Sequence, residues 1–179
     1  MPTVFSHATA ALALGPAFRS AGWPQRVWWT GAACAVLPDA DVVGFYFGVP
    51  LGSVLGHRGL THSLAFAAVL AALLTPLLLP RDSSRAWLWL YLFLATASHG
   101  VLDAMTNGGI GVAFFAPFDN HRYFLPWTPI RVSPIGIGRF FTSRGSAVLQ
   151  SELLWIWIPA GLLIASAWVL RRRGPAAVD

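Results

Sequence analysis

The residues in this chain that could do chemistry are few and grouped. His57 and His62 lie five apart in Gly56-His57-Arg58-Gly59-Leu60-Thr61-His62-Ser63, at the mouth of a long apolar run. His99 and Asp103 are separated by three residues. On a helix they stand about 40° apart around the axis and one turn apart along it, so both can face one ion. Asp39 and Asp41 alternate after Pro38. In an extended stretch both would project to one face, and they also suit helix caps or a turn. His7 lies near the start. Imidazole nitrogen with carboxylate oxygen and no thiolate suits Zn²⁺, Mn²⁺ or Fe²⁺ better than Ca²⁺ or a structural zinc knot. His7, Asp39, Asp41, His57, His62, His99 and Asp103 are too many for one tetrahedral ion. They suit two or three ions, with Asp103 or an aspartate of the pair bridging. Such a site brings bound water toward neutral acidity and stabilises entering and leaving oxygens.

The background makes these groups conspicuous. The chain has 179 residues, 56% of them hydrophobic and 11% charged, and a mean hydropathy of +0.61. That is the composition of an integral membrane protein and the length of one domain. All 12 basic residues are arginines, scattered or at the ends of apolar runs. They read as topology and interface anchors, not as a nucleic-acid patch. The lone Cys34 rules out an internal disulfide. Without a basic start or a cleavage site, the N-terminus is expected to be retained.

Five apolar helices and one broken apolar segment can position the candidates. The first, from Pro2 to Phe18, carries His7 and ends near Gly15-Pro16 and Arg19. A second helix is predicted from about Arg26 to Leu37, with Trp28 and Trp29 as belt residues. Val42 to Leu55, interrupted by Gly44, Gly48, Pro50 and Gly52, predicts a broken, re-entrant or interfacial element. Ser63 to Pro80 is an uncharged run of spanning length, and Ala86 to Asp103 follows after a polar turn. Met105 to Gln150 lacks periodicity and reads as a capping loop. Leu153 to Leu170, ended by Arg171-Arg172-Arg173, is the last span. Glu152 reads as an acid in its first turn.

The triple arginine argues for a cytoplasmic C-terminus. Counting back puts the Arg19/Arg26 and Arg81/Arg85 turns on that side, and every candidate ligand with the capping loop on the other. The loop also holds Asp119-Asn120-His121-Arg122, a candidate catalytic cluster that reads equally as a turn. Arg58 and Arg122 suit a phosphate through forked hydrogen bonds, and interfacial snorkelling accounts for them as well.

Read in order, Pro2-Thr3-Val4-Phe5-Ser6-His7, Leu37-Pro38-Asp39-Ala40-Asp41, His57 to Ser63, Ser98 to Asp103 and Thr106-Asn107-Gly108-Gly109 resemble the YdjM-type, membrane-bound metal-dependent hydrolases. The resemblance runs from His7 to about Ser133. That family is distantly similar to zinc-dependent phospholipase C and P1-type nucleases. Their order of ligands implies His7, Asp39 or Asp41, His57 or His62, and His99 with Asp103 as the zinc-binding positions. The chain departs from the remote pattern after Asp103, where no second pair of histidines follows.

The sequence therefore predicts an all-α, polytopic transmembrane bundle of about five spans in one domain, residues 1–173, with a short tail at 174–179. Residues 105–150 would be the extracytoplasmic capping loop. It would be an inner-membrane hydrolase with two or more divalent ions, Zn²⁺ first and Mn²⁺ or Fe²⁺ next. Metal-activated water would attack a phosphoester or phosphodiester of a membrane lipid, with no nucleic-acid partner. Arg58, Asp119, His121 and Arg122 are the candidate catalytic or phosphate-binding residues. The competing reading is a metal-ion transporter, or a metal-binding membrane protein without hydrolytic activity.

Overall fold

The computed structural model describes residues 1–18, 22–79, 84–133 and 142–173. Arg19, Arg81, Asp82, Arg139 and the 174–179 tail lie outside the described residues, and with them part of the charge pattern used to count topology. The described chain is all-helical, with no strand beyond two isolated bridges, Thr106 with Ile130 and Val112 with Tyr123. The helices are α1 (Val4–Phe18), α2 (Gln25–Val36), α3 (Leu64–Leu78), α4 (Arg85–Ala104), α5 (Ser143–Glu152) and α6 (Ile158–Arg173). A 3-10 segment, Leu37–Phe47, continues α2, and a 3-10 turn, Leu60–His62, precedes α3.

Local chemistry explains these boundaries. Pro24, at φ −67° and ψ 154°, starts α2. Ser63 caps α3 by accepting the Phe66 N–H at 3.0 Å. At the far end of α3, Arg26 Nη2 donates to the Leu78 carbonyl at 3.2 Å and Arg85 Nε to the Leu79 carbonyl at 2.7 Å. These are carbonyls that a helix end leaves without partners. Two arginines read as topology markers are thus also the C-terminal caps of α3.

α4 packs against α1, α2 and α3, and α1 also packs against α6. Down this bundle the side chains fall into layers. One end is aromatic and bulky, built on Phe18, Trp23, Val27, Leu88, Tyr91 and Leu92. The middle is a tight layer of Ala11, Ala35 and Ala95. At the other end, buried, are His7, His62, His99, Asp39 and Asp103. Arg26 and Arg85 start α2 and α4 at the aromatic end, opposite the candidate ligands.

α5, a π-helical turn at Leu153–Trp157 and α6 run on without a break. Ser143–Leu170 is the one described helix long and apolar enough to cross a membrane, and only 11% of its most apolar stretch is buried. At about 1.5 Å per residue its 28 residues reach about 42 Å, beyond a hydrocarbon core of about 30 Å. α1 and α3 are apolar but have 15 residues each, so the expected count of five spans does not follow from length alone.

Two local expectations are corrected. The capping loop does not extend to Gln150, because α5 begins at Ser143. Its sequence, Ser-Arg-Gly-Ser-Ala-Val-Leu-Gln-Ser-Glu, is polar enough to hide a helix. Glu152 is not an ordinary first-turn acid either. It is fully buried and accepts from Thr3 N at 2.6 Å, Thr3 Oγ1 at 2.6 Å and Ser6 Oγ at 2.7 Å. Trp157 Nε1 in turn donates to Ser6 Oγ at 2.8 Å. This carboxylate fastens the start of α1 to the last helix at the π-helical turn, a site where an extra residue in the turn re-aims side chains.

Replacing Glu152 with Ala orphans three buried donors at once, which costs about 3 kcal/mol. Thermal unfolding of the Glu152→Ala protein should therefore show a clear loss of stability, whereas Gln150→Ala on the exposed face of α5 should leave the midpoint within experimental scatter.

Candidate metal centre

α4 supplies His99 and Asp103 one turn apart on its buried face, as the spacing predicts. Gly100 between them lets α4 approach the preceding layer, since a Cβ there would sit 2.9 Å from the His62 carbonyl oxygen. α1 supplies His7, whose ring stacks on His99 with centroids 3.8 Å apart. The turn before α3 supplies His62.

The aspartate pair is where the spacing argument is overturned. Residues 37–47 form a 3-10 helix rather than an extended strand. With three residues per turn, Asp39 and Asp41 diverge by about 120°. Asp39 faces His62 and His99, with Oδ1 at 3.8 and 3.4 Å from their Nε2 atoms. Asp41 faces the other side of His62, with Oδ2 3.2 Å from Nδ1, and its Oδ1 lies 2.7 Å from His57 Nδ1. Thr61 Oγ1 also donates to Asp41 Oδ2 at 2.6 Å.

Two sets of ligand atoms result, Asp39 with His62, His99 and Asp103, and Asp41 with His57 and His62. In the first, His62 Nε2 and His99 Nε2 are 3.0 Å apart, and His62 Nε2 is 3.6 Å from Asp103 Oδ2. Four of the six edges of this set, at 3.0 to 3.8 Å, are close to the edge of about 3.4 Å for a tetrahedron around an ion with bonds near 2.1 Å, and all four atoms lie within 4.8 Å of one another. Apart from the two Nε2 atoms, these separations are too long for hydrogen bonds. Both oxygens of Asp39, Oδ1 of Asp103 and both ring nitrogens of His7 are buried without a hydrogen bond among the described residues, and Oδ2 of Asp103 has its ion pair with Arg58. Buried polar atoms are rarely left so.

The tautomers point the same way. His99 Nδ1 lies 2.7 Å from the Ala35 carbonyl and must carry the proton it donates, which leaves Nε2 bare. His62 Nδ1 lies 3.0 Å from Thr61 Oγ1, which gives its own proton to Asp41, and 3.2 Å from Asp41 Oδ2, so Nδ1 carries the proton and Nε2 is bare when the ring is neutral. Two bare nitrogens at 3.0 Å repel unless a positive charge lies between them, either a proton on His62 or a metal ion. Carboxylate and carbonyl partners behind ligating histidines are the usual arrangement around a bound metal.

Charge strengthens this demand. Asp39, Asp41 and Asp103 have side chains at most 7% exposed. Among the described residues, Arg58 is the one guanidinium paired with any of them, its Nε 2.9 Å from Asp103 Oδ2. Burial works to raise the Asp39 carboxyl, but His62 and His99 more than offset it and hold it far below the ordinary carboxylate range. Asp41 is likewise held down against burial, by His57 and His62. His62 is raised by Asp39 and Asp41 in spite of its own burial.

Arg58 is itself held in a demanding conformation. Its φ of 64° lies in the left-handed region, which costs about 1–2 kcal/mol for a residue with a Cβ. Nη1 donates to the Gly108 carbonyl at 3.0 Å and Nη2 to Thr106 Oγ1 at 3.1 Å. Gly109, at φ 93°, must be glycine, because a Cβ there would lie 2.6 Å from Arg58 Nη1.

The remaining candidates lie elsewhere. Arg122 clamps the 51–57 loop, donating to the carbonyls of His57 at 3.0 Å, Leu51 at 3.3 Å and Ser53 at 2.9 Å. Asp119 and His121 are exposed. Asp119 Oδ1 accepts the His121 N–H at 2.8 Å and the His121 ring packs on Tyr123, so the structure uses this cluster as a turn and not as part of the centre. Arg58 and Arg122 likewise spend their forks on the protein itself. The two sequence readings that missed were the 3-10 period after Pro38 and the donors that claim these arginines. Pro38 at the start of the segment was the one available signal for the first.

A helical bundle with a buried His/Asp cluster at one end and a lipid-length apolar helix defines a membrane protein with a candidate metal centre. The chain belongs to the YdjM inner membrane protein family, whose description matches residues 1–174. Inner membrane protein YbcI of Escherichia coli strain K12 is similar, with 43% identity over 175 residues, covering 96% of this chain and 100% of that protein. No solved structure matches the chain.

Two measurements test the centre. Asp41→Asn should weaken transition-metal binding by 10- to 100-fold, the usual loss for a partner behind a ligating histidine, as read by competition with a chromophoric chelator. The pH dependence should also invert with metal. In metal-free protein the raised His62 contributes stability fully below its ordinary value of about 6.5, and this is lost as pH rises through the folded value. Ion binding instead strengthens over that window, because proton and ion compete for Nε2. Thermal midpoints should thus fall with rising pH after chelation and rise in the metal-loaded protein. Parallel trends in both forms would count against the assignment.

Proposed function

We propose that this inner membrane protein is a metal-dependent hydrolase acting on phosphoesters carried by lipids. The observation that carries the reading is the convergence of two Nε2 atoms, 3.0 Å apart, among three buried carboxylates of which Asp103 alone pairs with a guanidinium among the described residues. The donors fit a divalent ion of the zinc type: imidazole and carboxylate, four of them with one ligand atom each within 4.8 Å of the others. When bound, such an ion supplies Lewis acidity toward an ester oxygen and lowers the pKa of a water toward neutrality.

The protein's own part is positioning and proton handling. Asp39, His62, His99 and Asp103 would hold one ion. His7, with Nε2 3.7 Å from Asp103 Oδ1, would be the nearest further imidazole on that side of Asp103. Asp41 orients His62 and His57 through their Nδ1 atoms. His57 falls outside the four-ligand set and lines a cavity beside it. An imidazole backed by a carboxylate is suited to hold or move a proton at its other nitrogen. Arg58 fixes Asp103.

In this reading the chain crosses the membrane several times, with the centre at the extracytoplasmic face and the C-terminus cytoplasmic. The separation of Arg26, Arg85 and the Arg171–Arg173 end from the ligand end of the bundle supports that orientation. The competing transporter reading requires ligands near mid-bilayer on broken helices. The alanine layer beneath the centre and the 105–133 loop around it favour hydrolysis at a surface.

Purified protein should carry stoichiometric transition metal and cleave at least one member of a lipid phosphoester panel. His99→Ala and Asp103→Ala should each lower turnover more than about a hundredfold, beyond the loss expected for a supporting residue. A wild-type protein without metal would sink the reading. Separately, a topology reporter fused in the 81–85 turn and found outside the cytoplasm would overturn the orientation.

A further inference from the structure

With Arg58 and Arg122 committed to the protein, an anionic substrate lacks an assigned recognition residue. A cavity of about 370 Å³ supplies one. It runs from the buried His57 and Arg58, past the apolar side chains of Phe45, Ile110 and Val132, to Arg144, which is exposed. This volume is in the range of small-ligand sites. Among the described residues no carboxylate lines it, so its charged groups are basic. Among the described residues Arg144 has no hydrogen-bond or ion-pair partner for its planar fork of donors.

The position of Arg144 is not explained by the helix that carries it. It lies in the first turn of α5 (Ser143–Glu152), where the helix dipole disfavours a cation. A bound anion would reverse that penalty. The cavity thus offers a guanidinium, an apolar wall and a floor that reaches His57. That combination matches a phosphate with a short carbon stem attached.

We propose that Arg144 is the specificity residue that binds the substrate's phosphate, with Phe45, Ile110 and Val132 receiving the adjoining carbon chain. The proposal rests on the hydrolase reading for what happens after binding, and on the cavity alone for binding itself.

The test uses the full-length protein in phosphatidylcholine nanodiscs. Inorganic phosphate and a short-chain phosphatidate are titrated separately against wild type, Arg144→Gln, Arg144→Lys and, as a control outside the cavity, Arg131→Gln. Wild type should bind at least one ligand. Arg144→Gln should weaken that binding about tenfold or more, as expected for loss of a charge-assisted fork. Arg144→Lys should recover part of the loss and Arg131→Gln should match wild type. Preference for the phosphatidate identifies a lipid headgroup, and preference for inorganic phosphate a soluble one. Either preference supports the proposal. Equal binding by wild type and Arg144→Gln, or no binding by wild type to either ligand, overturns it. Metal content is measured on the same samples. Arg144-dependent binding by a protein without metal would leave this proposal standing and remove the hydrolase reading, and metal-loaded protein indifferent to Arg144 would do the reverse.

Discussion

Three buried carboxylates, of which Asp103 alone pairs with a guanidinium among the described residues, concentrate negative charge at the heart of this molecule, and much of the surrounding structure serves to contain it. An unpaired buried charge is costly, so Asp39, Asp41 and Asp103 each recruit a neighbour. Arg58 accepts a left-handed backbone to reach Asp103, and Gly109 gives it room. Asp41 is bonded by His57 and Thr61. What remains is a negative space among Asp39, Asp103 and the Nε2 atoms of His62 and His99, a cluster that could hold a metal ion.

The layering of the bundle keeps that space small and dry on its inner side. Alanines at positions 11, 35 and 95 let α1, α2 and α4 approach closely just below the ligands. The aromatic end holds the helices at their other extremity. Above the ligands, the loop after α4 is tied to the rest by main-chain bonds, among them Leu125 N to Ala104 O at 2.9 Å and Ala113 N to Arg58 O at 3.0 Å. The centre therefore lies between a rigid helical floor and a loop anchored at several points.

Much of this was legible from residue spacing, and the failures are physically instructive. The His99/Asp103 pair was readable because helical period and ligand geometry coincide. The segment boundaries near Gln25, Ser63 and Arg85 were readable from Pro, Ser and charge. Asp39 and Asp41 were not, because a two-residue spacing means one face in a strand and two faces in a 3-10 helix, and the sequence permits both. Glu152 was misread because its partners, Thr3 and Ser6, lie nearly the whole chain away. Arg58 and Arg122 looked like phosphate ligands because nothing local reveals that backbone carbonyls claim their donors. Composition identified a membrane protein, but span count could not be read back from helix length.

One asymmetry separates the two central imidazoles. His62 takes its tautomer from side chains, Thr61 and Asp41, whereas His99 takes it from the main-chain carbonyl of Ala35. Side chains can be exchanged one at a time, but a carbonyl at the end of α2 persists through almost any substitution there. His62 is thus the evolvable half of the pair, whose basicity can be retuned by single replacements, while His99 is buffered against sequence drift by the helix that holds it.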